Sequence, residues 1–311
     1  MITTVTLNAA LDKEYRLKTL QPGTVMRVAG CEATAGGKGL NVARVASALG
    51  HPVCASGFLG GHTGAQIEEK LCRTPIQPRF VSVAGESRTC INVIEDNGRS
   101  TEFLEAGFCV RQQDLDRFLS AYEALLRESD VVTLNGSLPK GCPVDFYAKL
   151  IGLARQREVP VLLDSSGDAL LQGLKAQPTL VKPNRDELCS LLGAEDCQPE
   201  QGVKAAEELH RQGIPYVVLS MGKDGALMVC REGVFRGIAP AVTAVNTVGC
   251  GDSMMAAFAL ALCRGDAPQE MLRYALAVSA ASAMHPATGG VDPEVAHALM
   301  QKAVVTKVAN V

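Results

Sequence analysis

One stretch of this sequence decides its fold: Asn246-Thr247-Val248-Gly249-Cys250-Gly251-Asp252-Ser253. It follows the strand-like run Ala241–Val245 and opens an apolar helical pattern, Met254–Leu262. The glycines let the backbone approach a ligand without a Cβ in the way, and the free N–H groups at the start of a helix attract an anion. The stretch therefore predicts a strand–turn–helix unit that binds a phosphate.

Asp252 lies inside this turn. An aspartate at the start of a helix is most often a cap for the first N–H groups, and that interpretation stays open. A carboxylate beside a bound phosphate is electrostatically costly, however, unless it takes up a proton. An acid at this place is therefore also the expected position of a general base that activates a hydroxyl for attack on a phosphoryl group.

Short β-branched runs alternate with longer helical patterns along the rest of the chain. The strand candidates are Thr3–Leu7, Val131–Leu134, Val161–Asp164, Leu180–Lys182, Tyr216–Ser220 and Ala226–Cys230. The helix candidates are Leu40–Leu49, Gly64–Leu71, Gln113–Arg127, Asp145–Arg157, Pro199–Arg211 and Asp252–Cys263, followed by a wholly helical end, Pro268–Met284 and Pro293–Val304. This alternation predicts an α/β fold with a mainly parallel sheet covered on both faces.

Two stretches break the alternation, because they pair alternating strands without a helix between them. They are Leu11–Leu17 with Met26–Ala33, and Thr89–Glu95 with Thr101–Glu105. They predict a small, separate antiparallel sheet. Since such a sheet has one face to hide, we expect it to cover the active site, to pair with another copy of the chain, or to do both.

A second glycine-rich turn, Gly36-Gly37-Lys38-Gly39, precedes a helix in which Asn41 projects one turn from the start. Its glycines again permit close approach of a ligand, and Lys38 adds a cation. The spacing differs from that of a Walker A loop. An ordinary strand-to-helix turn with a solvated lysine would give the same pattern, so both interpretations stay open.

A third motif follows the strand candidate that ends at Lys182. Asn184 and Glu187 lie three residues apart at a helix start, where an amide and a carboxylate can hold hydrated Mg²⁺. A capping box has the same spacing. The sequence leaves the choice between these two interpretations open.

A fourth motif contains Ser220, Gly222 and Gly225 and predicts either a hairpin turn or a rest for a nucleotide. Asp12, Arg88 and Ser137 are further polar candidates near strand ends. Ligands collect outside the carboxyl ends of strands in α/β sheets, which is where these side chains are expected.

The composition bounds the class of protein. The chain has 311 residues, 47% of them hydrophobic, with 30 basic and 33 acidic side chains and no basic run, which argues against a nucleic-acid partner. The N-terminus lacks the pattern of a signal peptide, and no apolar stretch reaches the ~18 residues that a membrane span needs. The 11 cysteines are scattered without a Cys-x-x-Cys pair, which predicts reduced thiols. We therefore expect a cytoplasmic protein.

Taken together, these motifs resemble the phosphofructokinase-B branch of the ribokinase-like sugar kinases, and within it the hexose-phosphate kinases (tagatose-6-phosphate kinase and 1-phosphofructokinase). The resemblance runs from Thr6-Leu7-Asn8 through Gly-Gly-Lys-Gly-x-Asn-Val-Ala and Gly-x-Gly-Asp to Gly289-Gly290. It implies a ribokinase-like three-layer sandwich formed by a single domain over residues 1–311, with lid strands inserted at about 11–33 and 88–106.

The resemblance also implies an activity, the ATP-dependent phosphorylation of a ketohexose monophosphate. Asp252 matches the general base of the family, and Gly249, Cys250 and Gly251 match its anion hole. ATP contacts are implied for Lys182, Asn184, Ser220, Gly222 and Gly225. Asn184 and Glu187 match the stretch that handles Mg²⁺, through water.

The substrate side is implied in the same way. Sugar contacts match Asp12, Gly36, Gly37 and Asn41, and the grip on the phosphate already present matches Lys38, Arg88 and Ser137. The family's lid commonly joins two copies, which implies a homodimer through the lid, with Arg27 in a position to reach into the partner's site.

Two other functions stay open at this stage. A kinase of an unphosphorylated sugar or nucleoside resembles the Gly-Gly-Lys-Gly-x-Asn motif as well. A non-catalytic regulator that binds nucleotides or sugar phosphates would use the same fold, although it would not need Asp252, Asn184 and Glu187 together. Between tagatose 6-phosphate and fructose 1-phosphate, the segments 55–61 and 101–105 resemble tagatose-6-phosphate kinases slightly more.

Overall fold

The structure is a computed structural model that describes residues 1–28, 30–185, 187–188 and 199–310. Its strands are β1 (Ile2–Thr6), β2 (Ala10–Leu17), β3 (Cys31–Gly36), β4 (Val53–Gly60), β5 (Gln77–Val83), β6 (Arg88–Glu95), β7 (Ser100–Leu104), β8 (Val131–Asn135), β9 (Val161–Asp164), β10 (Leu180–Val181), β11 (Tyr216–Ser220), β12 (Ala226–Cys230), β13 (Gly233–Ile238) and β14 (Val304–Ala309). Its helices are α1 (Lys38–Ala48), α2 (Gly61–Cys72), α3 (Gln112–Leu125), α4 (Phe146–Arg155), α5 (Gly167–Lys175), α6 (Pro199–Arg211), α7 (Cys250–Arg264), α8 (Pro268–Met284) and α9 (Pro293–Met300).

Ten of these strands form one sheet in the order β14-β13-β12-β11-β10-β9-β8-β1-β4-β5. The pairs from β11 to β5 are parallel, whereas β12, β13 and β14 add an antiparallel edge. The central strands β1, β4, β8 and β9 are buried along their whole length, as strands covered on both faces must be. This confirms the predicted α/β fold with a mainly parallel sheet.

The core lies in two layers, one on each face of this sheet. On one face α1, α7 and α8 pack through small side chains such as Ala256, Ala257 and Ala277. On the other face α3 and α4 pack through aromatic side chains, with the rings of Phe58 and Phe118 only 5.0 Å apart between centroids. A layer of helices on each face of the sheet gives the predicted three-layer arrangement.

The four remaining strands form the lid sheet, in the order β3-β2-β6-β7. The pairs β2–β3 and β6–β7 are antiparallel as predicted, and a parallel pair, β2–β6, joins them. The chain enters this sheet directly from the carboxyl end of β1, so the lid stands over the carboxyl edge of the main sheet. Strand β3 covers Cys31–Gly36 rather than the predicted Met26–Ala33, of which Ala29 lies outside the described residues.

The prediction of a strand at Ala241–Val245 is wrong. These residues form a loop, and the N–H groups of Val245 and Asn246 donate to the carbonyl of Ala283 at the end of α8 instead of to a strand. Pro240, which has no N–H to donate, stands just before the run. The strand before the glycine turn is therefore β13, and the loop brings its apolar side chains to the carboxyl edge of the sheet.

The wholly helical end is also wrong. The last helix stops at Met300, and β14 then pairs with β13 at the edge of the main sheet. Val305 is buried there while Val304 is exposed, which is strand alternation. The strand candidates from the sequence also did not include β4, which contains Ser56 and Gly57. A Cβ on Gly57 would lie 1.9 Å from the carbonyl oxygen of Thr6, so glycine lets β4 pack closely against β1.

Two further expectations, on membrane spans and on disulfides, can be compared with the described part of the chain. No helix there is both long enough and apolar enough to cross a membrane. The nine cysteines described are free thiols, in agreement with the predicted absence of disulfides; Cys189 and Cys197 lie outside the described residues.

Candidate active site

A cleft of about 1220 Å³ separates the lid sheet from the carboxyl edge of the main sheet. Most of the predicted site residues line it, from elements that are far apart in the sequence. They are Asp12, Gly37, Lys38, Asn41, Arg88, Lys182, Asn184, Glu187, Ser220, Gly222, Gly225, Gly249, Cys250, Gly251 and Asp252. A smaller cavity of about 200 Å³ shares Gly37, Lys38 and Arg88 with the cleft and contains Ser137.

The glycine turn has the geometry of an anion site. Gly249 adopts a left-handed conformation with φ 84°, and α7 starts at the next residue without a side-chain cap. The first intrahelical bond that closes this turn runs from the N–H of Ser253 to the carbonyl of Gly249, over 2.9 Å. The N–H groups of Gly251 and Asp252 therefore have no carbonyl to bond within the helix and point out of its positive end. The Asp252 side chain does not cap them.

The Asp252 carboxyl group is buried, with 6% of the residue exposed, and accepts a hydrogen bond of 2.6 Å from Nδ2 of Asn41. Burial, and then the neighbouring carboxylate of Asp164, raise the pKa of Asp252 well above its ordinary value of 3.8. The Asn41 bond and the ammonium groups of Lys38 and Lys182 oppose this rise. The group is thus a carboxylate with a strong tendency to accept a proton.

Asp164 is the functional candidate that sequence reasoning missed. It ends β9 and accepts a 2.7 Å bond from Nζ of Lys38, with Nζ of Lys182 3.4 Å from its other oxygen. Burial alone would raise the pKa of Asp164, but the two ammonium groups outweigh it and hold the pKa below its ordinary value. The one signal in the sequence was an acid at the carboxyl end of an otherwise apolar strand.

Lys182 places its charge beside the turn. Only 5% of its side chain is exposed, and a Cβ on Gly251 would lie 3.4 Å from its Nζ atom. With Lys38 it forms a pair of cations against the two carboxylates of Asp164 and Asp252. This cluster of four charges is neutral overall, so an arriving phosphate meets no net repulsion.

Asn184 and Glu187 form the capping box that the sequence left open. The N–H of Asn184 donates to Oε2 of Glu187 over 2.9 Å, and the N–H of Glu187 donates to Oδ1 of Asn184 over 2.8 Å. The other carboxylate oxygen, Oε1, lies 3.9 Å from Nζ of Lys38. One carboxylate oxygen therefore remains available to the cleft; Asp186 of the same motif lies outside the described residues.

The turn after β11 is a hairpin, which is one of the two interpretations that the fourth motif left open, and it also lines the cleft. The N–H of Met221 bonds the carbonyl of Gly225 over 2.9 Å. Gly225 has φ +93°, and a Cβ there would meet the carbonyl oxygen of Gly237 at 2.0 Å. The apolar loop Ala239–Val242, which the sequence did not single out for a site, forms the neighbouring wall.

Asp12 stands in β2 at the opposite end of the cleft. Gly36 in the paired strand does not line the cleft but makes room for this side chain, since a Cβ on it would lie 2.1 Å from the Asp12 carboxyl. Burial raises the pKa of Asp12 to about 6, against the lowering influence of Arg44, Arg88 and the N–H of Gly37. An acceptor for hydroxyl groups is thus held among cations.

Ser137 and Arg88 meet through Asn8. Arg88 donates from Nε to the carbonyl of Asn8 over 3.0 Å, and Nδ2 of Asn8 lies 3.5 Å from the hydroxyl of Ser137. Arg27, like Gly36, is a predicted site residue that lines neither cavity. It lies in the exposed stretch between β2 and β3, so a role for it requires a second copy of the chain.

Comparison with known proteins adds an independent observation. A family model described as pfkB family carbohydrate kinase matches residues 5–294. A tagatose-6-phosphate kinase of Staphylococcus epidermidis is 38% identical over 297 residues, which cover 94% of this chain and 96% of that protein. A possible 1-phosphofructokinase from Thermotoga maritima superposes with a TM-score of 0.90 at 29% identity and 99% coverage of both chains. Phosphofructokinase-2 from Escherichia coli, solved with potassium, gives 0.89 at 28% identity, covering 97% of this chain and 98% of its own.

The two buried carboxylates should respond oppositely to the same substitution. Because its raised pKa means that the charge of Asp252 costs stability, Asp252→Asn should raise the free energy of unfolding at pH 8 by about 1–3 kcal/mol, a gain that shrinks as the pH falls towards 3.8. Asp164→Asn should lower it at pH 8 by about 3–5 kcal/mol, because Lys182 would stay buried without its partner.

Urea unfolding at pH 8 and pH 5 measures both differences. Asp145→Asn is the matched control, since Asp145 is exposed and makes no side-chain bond to its helix; it should change little. A loss of stability in Asp252→Asn at pH 8 would contradict the assignment of Asp252 as a costly buried charge.

Proposed function

Since this chain belongs to the pfkB family of carbohydrate kinases and phosphorylates a hexose phosphate with ATP, we propose that its acceptor is a ketohexose monophosphate, with tagatose 6-phosphate preferred to fructose 1-phosphate. The observation that carries the proposal is the buried Asp252 carboxylate in a turn whose N–H groups await an anion. A base and an anion hole within one turn are what phosphoryl transfer to a hydroxyl requires.

In the proposed reaction, the free primary hydroxyl of the sugar attacks the γ-phosphorus of ATP in line. Its oxygen forms the new P–O bond, the bond between the γ-phosphorus and the bridging oxygen of ADP breaks, and Asp252 accepts the hydroxyl proton. The N–H groups of Gly251 and Asp252, the helix dipole and Lys182 stabilise the negative charge on the transferred group. Products are ADP and the sugar bisphosphate.

The substrate's own phosphate is proposed to lie at the small cavity. Lys38 and Arg88 supply the positive charge there, and Ser137 supplies a hydroxyl donor. Asp12 and Asn41 would then face the hydroxyl groups between the two ends of the sugar. An acceptor without a phosphate would bring no anion to Arg88 and Ser137 in this cavity, which disfavours the kinase of an unphosphorylated sugar or nucleoside.

The wall of the cleft around β11 and β12 is proposed to hold the nucleotide. Ser220, Gly222 and Gly225 offer backbone that can approach the phosphates or ribose, and Ala239–Val242 offers an apolar face for the base. Asn184 would contribute its amide at the edge of this wall. A regulator without catalysis would gain nothing from the buried charge of Asp252, which disfavours that alternative.

Mg²⁺ is proposed as the companion of ATP. The capping box occupies Oδ1 of Asn184 and Oε2 of Glu187, but Oε1 of Glu187 remains in the cleft, where a carboxylate oxygen fits a hydrated Mg²⁺ held through water. When bound near Glu187, the ion would neutralise part of the negative charge on the phosphates of ATP. We also propose that the protein works in the cytoplasm, because charged substrates of this kind are retained inside cells.

The identity of the acceptor rests on two supports. The chain is 38% identical to a tagatose-6-phosphate kinase over 94% of its length. The segments 55–61 and 101–105 resemble tagatose-6-phosphate kinases slightly more. Segment 55–61 covers most of β4 and the first residue of α2, and segment 101–105 lies largely in β7 of the lid.

A panel of acceptors tests the reaction and the acceptor together. We expect ATP-dependent ADP release with tagatose 6-phosphate to show the highest kcat/KM, above fructose 1-phosphate and fructose 6-phosphate, and negligible release with fructose or ribose. Asp252→Asn should lower kcat by about 10²–10⁴ while leaving the KM for ATP nearly unchanged, because it removes only the proton acceptor.

The pattern of results separates the alternatives. Faster turnover of ribose or fructose than of any phosphorylated sugar would identify a kinase of unphosphorylated substrates. No ADP release with any acceptor would favour the regulator, and a near-normal kcat in Asp252→Asn would remove Asp252 from the role of base.

The lid is proposed to join two copies of the chain. It presents large apolar side chains to solvent, with Val25 88% and Phe103 55% exposed, and Arg27 lies two residues after Val25 in the connection between β2 and β3. Exposed apolar side chains on a projecting sheet favour association with a second copy. Arg27 would then reach the phosphate end of the partner's cleft.

Subunit mixing tests this arrangement. Arg27→Ala and Asp252→Asn proteins should each be weakly active, and a refolded or subunit-exchanged equal mixture should recover about a quarter of the wild-type activity, because half of the dimers then hold one complete site. Phe103→Asp should yield monomers in size-exclusion chromatography with light scattering. A mixture no more active than its components, or a monomeric wild-type chain, would contradict the shared site.

A further inference from the structure

Arg44 connects three parts of the active site through one guanidinium group. It lies in α1, one turn after Asn41, and is half-buried. Its Nη1 atom donates to the carbonyl of Ala35 at the end of β3, and its Nη2 atom donates to Oδ1 of Asn41 and, over 3.2 Å, to the carbonyl of Thr288. The fixed fork of an arginine suits such a set of acceptors.

These bonds determine which way the Asn41 amide faces. An amide carries an acceptor on one side and a donor on the other, and a guanidinium can only donate. Arg44 therefore takes Oδ1, which turns Nδ2 towards Asp252, where it donates over 2.6 Å. If the amide rotated by half a turn, its oxygen would face the carboxylate and favour the protonated acid.

Packing around Arg44 leaves it little freedom. A Cβ on Gly289 would lie 3.2 Å from both Nε and Nη2 of Arg44, and one on Gly249 would meet the Thr288 side chain at 3.0 Å. The loop that supplies the Thr288 carbonyl thus packs on Arg44 and on the glycine turn at once. Asn246 ties the same loop down by donating to the carbonyl of Pro286 over 3.0 Å.

Charge adds to this geometry. The Arg44 guanidinium lies close enough to interact electrostatically with both Asp12 and Asp252. The other charged groups that face Asp252 are Asp164 from β9, Lys38 from α1 and Lys182 from the segment after β10, and the Cys250 thiol is its titratable neighbour in α7. Arg44 is therefore a cation beside the proposed base that reaches it through an intervening amide.

We propose that Arg44 is a positioning residue that holds the Asn41 amide in the one orientation that donates to Asp252, and so keeps that carboxylate ionised and aimed for proton transfer. The inference rests on the proposed function of Asp252 as the base. It names a role that no motif of the sequence assigned to Arg44, although the residue stands only three positions beyond Asn41.

Replacement of Arg44 should therefore change the pH dependence of the reaction. Arg44→Gln should lower kcat at pH 7 by about 10–100-fold and move the acid limb of the kcat profile upward by about one pH unit, since loss of the cation and of the amide clamp both favour protonated Asp252. Arg44→Lys, which keeps the charge but not the fork, should lie between wild type and Arg44→Gln. The KM for ATP should stay within about twofold of wild type.

The decisive comparison repeats the substitution in an Asn41→Leu background. If Arg44 acts through the amide, Arg44→Gln should lower kcat much less in the Asn41→Leu background than in the wild-type chain. The two fold-changes in kcat should differ by at least about tenfold. Equal effects in the two backgrounds, or an unshifted acid limb in Arg44→Gln, would overturn the proposal. Should Arg44→Gln fail to fold by circular dichroism, Arg44→Lys in both backgrounds gives the same comparison.

Arg155→Gln is the matched control. Arg155 also donates to a backbone carbonyl and a side-chain amide oxygen, those of Ala176 and Gln177, but it lies at the end of α4 and lines neither cavity. It should leave kcat and its pH profile unchanged. A wild-type chain without kinase activity would overturn the proposed function itself, whereas an active wild type with an unshifted Arg44→Gln profile would overturn only the role of Arg44.

Discussion

The burial of the Asp252 carboxylate is the constraint on which the rest of the site depends. A carboxylate at the positive end of a helix is stabilised by the dipole, but one removed from water pays heavily for its charge. A short hydrogen bond from Asn41 and the positive charges of two lysines, which also face Asp164, stabilise the Asp252 carboxylate. The result is a base that is charged yet inclined to accept a proton.

The fold brings the residues of this arrangement together from distant parts of the chain. Asn41 belongs to α1 and Asp252 to α7, and the doubly wound sheet brings the starts of both helices to one edge. The small alanine-rich faces of α1 and α7 allow them to pack closely beneath that edge. The lid sheet begins directly after β1, and the cleft lies between the lid and the carboxyl edge of the main sheet.

The sequence predicted those parts of the site that are local. The glycine turns at Gly36–Gly37 and Gly249–Gly251 can be recognised in the sequence, because a backbone conformation or a close approach requires glycine there. The site residues beside these turns can then be predicted as well. Asp164 and Arg44 could not be predicted in this way, because their roles depend on partners that lie far away in the sequence or in another loop. The prediction of a strand at Ala241–Val245 was wrong for a similar reason, because the N–H of Val245 donates to a carbonyl at the end of α8.

A crystal structure with a non-hydrolysable ATP analogue and tagatose 6-phosphate would test the central claim most directly. Our account predicts γ-phosphoryl oxygens about 2.7–3.1 Å from the N–H groups of Gly251 and Asp252, and the free primary hydroxyl within about 2.6–3.2 Å of the Asp252 carboxylate. A triphosphate that ends away from the glycine turn, or a sugar that presents no hydroxyl to Asp252, would contradict it.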